Sequence, residues 1–416
     1  MKRSTTNKRK IFNDPVYGFI SIPSPLLFDL IEHPYFQRLR RIKQLGLSHL
    51  VYPGAIHSRF QHSMGTLFLM SHALRTLTEK GIYISEEEQT ATYIAILLHD
   101  IGHGPYSHTL EGILIRDITH EEITNYLLDL LNKEFSGKLD LAISIFRNTY
   151  KRGFFHQLVS SQLDMDRLDY LRRDSFFTGV SEGVIGTERL IKMLNVVDDK
   201  IVVEEKGIYS VEKFLVARRL MYWQVYLHKT VLVAEHLLIQ IIQRAKNLSI
   251  DKKLSVFGSP AFQFFLNEHP NKSAFFNNRE VLDNFVEMDD FDIMGAIKVW
   301  TKHPDKSLSL LSRMLINRHL PKIKIQNEKY NSAELNSIRS SIAKKYNIPF
   351  EESKHFVVNG TVSNRAYNQI HDGIFIASKT DELTDIATAS DNFNIQTLSK
   401  PVKKYFLFYP KDIKII

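Results

Sequence analysis

The 416-residue chain contains no cysteine. Disulfides and thiolate metal ligands are therefore excluded, and any metal must be held by His, Asp or Glu, a donor set that suits Mn, Fe, Mg, Co, Ni or Zn. The absence also fits a reducing compartment. Long apolar runs are missing too: no stretch is long enough to span a bilayer, and the opening MKRSTTNKRK lacks the apolar core of a signal peptide. The expectation is a cytoplasmic protein with no membrane partner. Internal repeats, low-complexity linkers, a glycine-rich phosphate loop and zinc-finger spacing are lacking, which sets aside solenoid, P-loop and zinc-finger readings.

What is present is an ordinary globular composition, 44% hydrophobic and 24% charged, enough to bury a substantial core. The length predicts two or three domains, or one large domain with appendages. A net charge of +8 points to anionic partners without separating nucleotides from nucleic acid. Basic residues are mostly dispersed; the dense group Lys2, Arg3, Lys8, Arg9 and Lys10 reads as a solvated tail. Salt-sensitive binding to single strands would follow from the charge, but no aromatic–basic platform demands it, so nucleic acid is a secondary partner.

The stretch AILLHDIGHGPYSH, residues 95–108, is the most informative. An apolar helical run ends on two metal-competent side chains, His99 and Asp100. Gly102, Gly104 and Pro105 then break the helix. His103 and His108 follow, so one turn offers a ligand pair and two acid–base groups. A lone histidine is usually structural, but four ionisable groups around one helix break point to a metal site.

Before it, residues 10–23 read as strand, turn and strand. Ser24-Pro25 starts a helical pattern running to about Leu45, jogged at Pro34. Its polar residues, from Gln37 to Gln44, read as an exposed face, with anion contacts as the alternative. Residues 59–80 have helical periodicity and stop at Gly81. Arg59 and His62 fall in that first turn, where anions are favoured. Ser85 and Glu88 form a capping box for the helix that delivers His99-Asp100, and His120-Glu121 opens a further helix. In SSQLDMDRLDYLRRDSFFTG (160–179), Asp166, Tyr170 and Asp174 recur every four residues and share a helix face, flanked by Arg167 and Arg173. Spacing alone fits that stripe equally with an exposed, ion-paired helix.

A hairpin is expected at 195–210 and a long helix at 211–246. On the latter, Arg218, Tyr222, Tyr226 and Lys229 form a stripe that reads as core packing. Residues 251–316 continue as helices; beyond about 320 short strands appear around a helix at 331–346. The expected architecture is mainly α: an arm with short strands at 1–24, a helical core at 25–316, and a small α+β C-terminal lobe at 317–416.

His62, His99, Asp100 and Asp166 are then candidates for one two-His, two-Asp metal site, since helices that bundle can bring such distant ligands together. They match the H…HD…D signature of the HD-domain phosphohydrolases. FQRLRRIKQLGLSHLVYPGAIHSRFQHSMG (36–65), LLHDIGHGPYSH (97–108), HEE (120–122) and DMDRLDYLRRD (164–174) narrow the match. They closely resemble the HD-domain dNTP triphosphohydrolases, the branch of the bacterial dGTPases and the SAM-and-HD-domain enzyme. No SAM module precedes these motifs, so functions tied to it are not expected.

The resemblance implies an HD helical bundle that hydrolyses a dNTP, dGTP favoured, to deoxynucleoside and inorganic triphosphate by water attack at the α-phosphorus. It implies His62, His99, Asp100 and Asp166 as ligands of a divalent cation. His108 becomes the candidate donor to the departing 5′ oxygen, with His103 and His120 around the phosphates; Glu111 stands where the family has aspartate. Arg59, Arg167 and Arg218 fall at the triphosphate, Gln44, Tyr170 and Asp174 at the deoxyribose, and Leu45 and Tyr226 where a 2′-hydroxyl is crowded out. An allosteric purine-nucleotide site between subunits is implied at Lys10, Ile11, Asn13, Gln37 and Arg40, with Glu32 in place of an aspartate, and with it a homo-oligomer, a tetramer favoured. Two other classes remain: an HD phosphodiesterase or nuclease on RNA, DNA or a cyclic nucleotide, and a non-catalytic nucleotide or nucleic-acid binding module.

Overall fold

Capping chemistry sets the ends of the helices that matter. The structure, a computed structural model, describes residues 10–251, 254–364, 367, 373–391 and 402–413; Lys2, Arg3, Lys8 and Arg9 of the expected tail lie outside them. The chain begins as an antiparallel hairpin, β1 Ile11–Asp14 and β2 Gly18–Ser21. Asp14 turns it by accepting from the amides of Val16 and Tyr17 at 2.9 and 3.0 Å. Helix α1, Pro25–Glu32, is capped by Ser24.

The helical pattern is jogged before Pro34 as expected, but it shortens and ends at Arg41 rather than Leu45. His33 is extended, as a residue before proline prefers. A short turn Pro34–Gln37 and a 3-10 turn Arg38–Arg41 follow instead. The buried Arg38 fixes that bend by donating to the carbonyls of Ile101 and His103 at 2.9 and 2.6 Å. A side chain read as surface is thus a strut beneath the His99-Asp100 turn, and burial pulls its pKa down to about 9.

The site helices follow. Helix α2, Arg59–Glu79, begins at a Ser58–Gln61 capping box, and α3, Glu86–Leu98, at the Ser85–Glu88 box read from the sequence. Helix α4, His120–Glu134, carries a third box, Thr119–Glu122. Helix α5, Met165–Thr178, is capped by Asp164 and ended by Gly179 in the left-handed conformation. Helix α2 packs against both α3 and α5. Gly65 permits the second contact: a Cβ there would sit 2.0 Å from Asp169 Oδ1 and 2.2 Å from Arg173 Nη2. Gly65→Ala should therefore cost about 1–3 kcal/mol or more of stability, read as a lowered thermal midpoint; an unchanged midpoint would mean that α5 is free to move away.

The expected single helix over 211–246 is two. Helix α6, Ile208–Met221, runs into a π turn at Tyr222–Tyr226, and α7, Lys229–Ile250, restarts after His228 caps it. The two segments are bent by 54°. Wide turns of this kind are frequent at functional sites, and this one ends on Tyr226.

Helices continue to Ile316, and the chain is mainly α with small sheets. Strands β3 Leu194–Val197 and β4 Lys200–Glu204 form the expected hairpin. Strands β5 Lys322–Gln326, β6 Val358–Asn364, β7 Phe375–Ala377, β8 Leu383–Asp385 and β9 Val402–Tyr409 come from the C-terminal part. Their sheet order is β5-β9-β6, while β7 joins β4 in parallel to give β3-β4-β7-β8. One buried apolar cluster runs from Ile20 to Ile413, so strands and helices share a core. Among the described residues no single helix is long and apolar enough to cross a membrane.

Candidate active site

Three helix ends meet at one point. His62 lies in the first turn of α2, His99 and Asp100 follow the end of α3, and Asp166 is in the first turn of α5. One ligand atom each of His62, His99 and Asp166 lies within 4.8 Å of the others. Asp166 Oδ1 is 3.0 Å from His62 Nε2 and 3.6 Å from His99 Nε2. Asp100 completes the ring, Oδ1 3.4 Å from His99 Nε2 and Oδ2 3.9 Å from His62 Nε2.

Tautomer and charge fit a cation there. His62 Nδ1 faces Asp169 Oδ2 at 2.7 Å and His99 Nδ1 faces the Ile96 carbonyl at 2.7 Å, so each ring donates from Nδ1. Both Nε2 atoms are buried and lack a hydrogen-bond partner. Imidazoles that bind metals are oriented in this way. Burial opposes protonation of His62, yet the nearby Asp166 and Asp169 carboxylates outweigh it and raise its pKa to about 10. Burial likewise opposes ionisation of Asp166, but His62 and His99 hold its pKa far below the usual carboxylate range. The centre attracts positive charge, and its four donors suit a divalent ion.

Beside it lie three stacked or edge-on imidazoles. His103 stacks on His120, ring centroids 4.0 Å apart, and His108 meets both edge-on. Glu111 ties the group together, accepting from the His120 amide at 3.0 Å, its Nδ1 at 3.1 Å and His108 Nδ1 at 3.3 Å. Burial first, and then the Arg59 charge, lowers the pKa values of His103 and His108. The turn carrying them is strained, with Tyr106 and Ser107 at φ 51° and 43°; Asp290 anchors it by accepting from the Tyr106 amide at 2.9 Å.

The three imidazoles, with Asp100 and Asp166, line one side of a cavity of about 430 Å³, shared with Arg59, Arg167, Gln44, Leu45, Tyr170, Asp174 and Tyr226. Arg59 also braces a ligand, Nη1 lying 2.5 Å from Asp100 Oδ2. Asp174 accepts from the Tyr226 hydroxyl at 2.8 Å and faces His57 Nε2 at 2.7 Å. Burial and the Asp174 charge push the Tyr226 phenol well up, keeping it a donor.

Several residues sit around the cavity in ways the sequence does not show. Tyr226, which the resemblance puts at the sugar, lines the cavity, and so does Tyr222, which the periodicity read as core packing; both lie in the π turn. Arg218 is not among the lining residues; its Nη1 donates to Gln162 Oε1 at 2.7 Å, and its Nε is buried without a hydrogen-bond partner. Glu111 does not reach the cavity and acts on it through His108 and His120. Arg173 does not flank the functional stripe but is buried between Asp14 and Asp169. Sequence reasoning misses Asp169, legible only as a further carboxylate in DMDRLD. It also misses Glu235, a cavity-wall carboxyl that burial pushes up to about 7 against the pull of Thr109.

The six expected effector residues lie outside this cavity. Ile11 and Asn13 are exposed on β1. Lys10 Nζ stands 4.2 Å over the Phe28 ring, and Arg40 lies 3.5 Å over Phe60 while donating to Gln37 Oε1 at 2.8 Å. Burial lowers the Arg40 pKa and Glu32 opposes the change.

Comparison with known proteins follows the same outline. A family described as HD domain matches residues 59–172, and one described as HD associated region matches 185–256. Protein YwfO of Bacillus subtilis (strain 168) is 31% identical over 98% of this chain and 93% of its own length. The crystal structure of a phosphohydrolase from Bacteroides thetaiotaomicron VPI-5482 superposes with a TM-score of 0.94 at 52% identity, covering 97% of this chain and 100% of that one. A Dictyostelium discoideum protein named deoxynucleoside triphosphate triphosphohydrolase SAMHD1 homolog is 33% identical over 54% of this chain, a match that spans 47% of that protein.

Proposed function

We propose that this chain, which belongs to the HD-domain phosphohydrolase family, is a metal-dependent dNTP triphosphohydrolase that releases deoxynucleoside and inorganic triphosphate, with dGTP the favoured substrate. The observation that carries the reading is the meeting of His62, His99, Asp100 and Asp166 beside a nucleotide-sized cavity, whose wall Asp100 and Asp166 reach and whose other walls hold cations, imidazoles and tyrosines. A divalent cation held by those four residues would supply Lewis acidity, able to lower the pKa of water and to polarise a phosphoryl oxygen. Mn, Fe, Mg, Co, Ni and Zn all suit the donors.

The remaining roles belong to side chains. Arg59 and Arg167 offset charge on the triphosphate. His108, held at Nδ1 by Glu111, presents its other nitrogen to the departing 5′ oxygen, which leaves poorly without a proton. His103 and His120 stand beside the phosphates. Gln44, Tyr170 and Asp174 hold the deoxyribose, and Leu45 and Tyr226 crowd the 2′ position. Arg218, whose Nη1 donates to Gln162 Oε1, is the third cation assigned to the triphosphate. Tyr226→Ala should lower the dGTP-over-GTP preference in kcat/KM by about tenfold, within the range that crowding supplies. An unchanged ratio would remove Tyr226 from discrimination.

Lys10, Ile11, Asn13, Glu32, Gln37 and Arg40 form the proposed purine-nucleotide effector face of a homo-oligomer, a tetramer favoured, in the cytoplasm. The direct test of the reaction is an assay of all four dNTPs, alone and in pairs, with Mn or Mg. Deoxynucleoside and triphosphate are expected from dGTP; a dNMP with pyrophosphate would overturn the reading.

A further inference from the structure

The candidate ligand His62 is held from three residues away. Its Nδ1 faces Asp169 Oδ2 at 2.7 Å. Asp169 is gripped in turn by Arg173, Nε to Oδ2 at 2.9 Å and Nη2 to Oδ1 at 3.1 Å. The fork continues to β1, where Arg173 Nη1 lies 2.7 Å from Asp14 Oδ2. Asp14 spends its other oxygen on the amides of the hairpin turn. Side-chain exposure along His62, Asp169, Arg173 and Asp14 is 1%, 0%, 0% and 4%. Gly65 leaves the room on α2 in which the Asp169–Arg173 pair sits.

We infer that Asp14 and Arg173 are positioning residues for His62, through Asp169, and that the N-terminal hairpin thereby sets the affinity of the four-residue centre for its cation. A carboxylate on Nδ1 fixes the ring and strengthens Nε2 as a donor. That carboxylate serves only while its own position is fixed, and the bidentate guanidinium supplies this. The guanidinium carries one positive charge between two aspartates. With Asp14 neutral, all of that charge bears on Asp169, which then draws less on the His62 proton. Every bond runs from the hairpin turn to the ring face opposite the ligand nitrogen. In this respect the pair differs from an ion pair that merely closes a core.

The same hairpin exposes Ile11 and Asn13. If the effector face proposed above is real, a nucleotide bound there gains a route to the metal centre, and that extension rests on the earlier reading. The positioning role does not.

Asp14→Asn keeps an oxygen for the turn amides and removes the charge facing Arg173. Mn²⁺ affinity is measured by chelator competition without any nucleotide, on protein whose thermal unfolding shows it folded. Binding about tenfold weaker than wild type is expected, as for other outer partners of metal ligands, with turnover restored by excess Mn²⁺ and KM unchanged. Arg173→Lys, which keeps charge and loses the fork, should weaken Mn²⁺ to a similar degree and carries the prediction if Asp14→Asn does not fold. Combined with Asp169→Asn, the Asp14→Asn change should add nothing further, since members of one network are not additive. Wild-type Mn²⁺ affinity in a folded variant, or additive losses in the pair, would overturn the inference. Because the readout needs no substrate, a protein that cleaves no dNTP yet shows the Asp14 effect would sink the proposed reaction and leave this role standing.

Discussion

Asp166→Ala should lose the cation and turnover together. Its Oδ1 is the atom that both orphaned imidazole nitrogens face, at 3.0 and 3.6 Å. Without it, Asp100 is the remaining carboxylate at the centre, and its Oδ2 is already committed to Arg59. The metal's charge stabilisation amounts to several kcal/mol, so triphosphate release should fall at least about a thousandfold. The fold should survive, because the Asp166 side chain is 27% exposed and caps nothing. Metal content after dialysis and initial rates on dGTP are the measurements. A variant that kept both would remove Asp166 from the ligand set.

The second large effect concerns the proton rather than the metal. His108→Gln should keep the cation, since His108 touches none of the four proposed ligands and pairs with Glu111 instead. Its turnover on dGTP should drop by about 10²–10⁴, the usual worth of a placed acid. A dGTP analogue with sulfur in place of the bridging 5′ oxygen separates this role from a general loss of shape. A thiol of pKa about 8.5 leaves without help, so the same variant should approach wild-type rates on it. Equal losses on both substrates would assign His108 to phosphate binding and leave the acid to another group, His103 and His120 being the nearest.

Much of this site is legible in the amino-acid sequence because its signals are local. The Ser58 and Ser85 caps fix where α2 and α3 begin, and those starts carry Arg59, His62 and the approach to His99-Asp100. Asp166, Tyr170 and Asp174 share a face by simple periodicity. What stays hidden depends on partners far away. Nothing local in RLRR says that Arg38 is buried against carbonyls at 101 and 103, so a strut reads as surface. Asp169 differs from its neighbouring aspartates only in what it meets across α2. Arg218 has the expected residue type, but its bond from Nη1 to Gln162 is not written in the local sequence.

The π turn is a second kind of loss. An aromatic every four residues predicts core packing if the helix is regular, and Tyr222–Tyr226 is not regular. The hairpin at 194–204 is legible by alternation, whereas its parallel pairing with residues 375–377 is not. Such pairings join segments with no shared signal and follow from the common core.

The point at which water enters the substrate decides between the proposed reaction and its rivals. With dGTP and metal in heavy-oxygen water, phosphorus NMR should show one linear triphosphate carrying the label on a terminal phosphorus, beside unlabelled deoxyguanosine. Pyrophosphate with dGMP, or label in the deoxyguanosine, would contradict it.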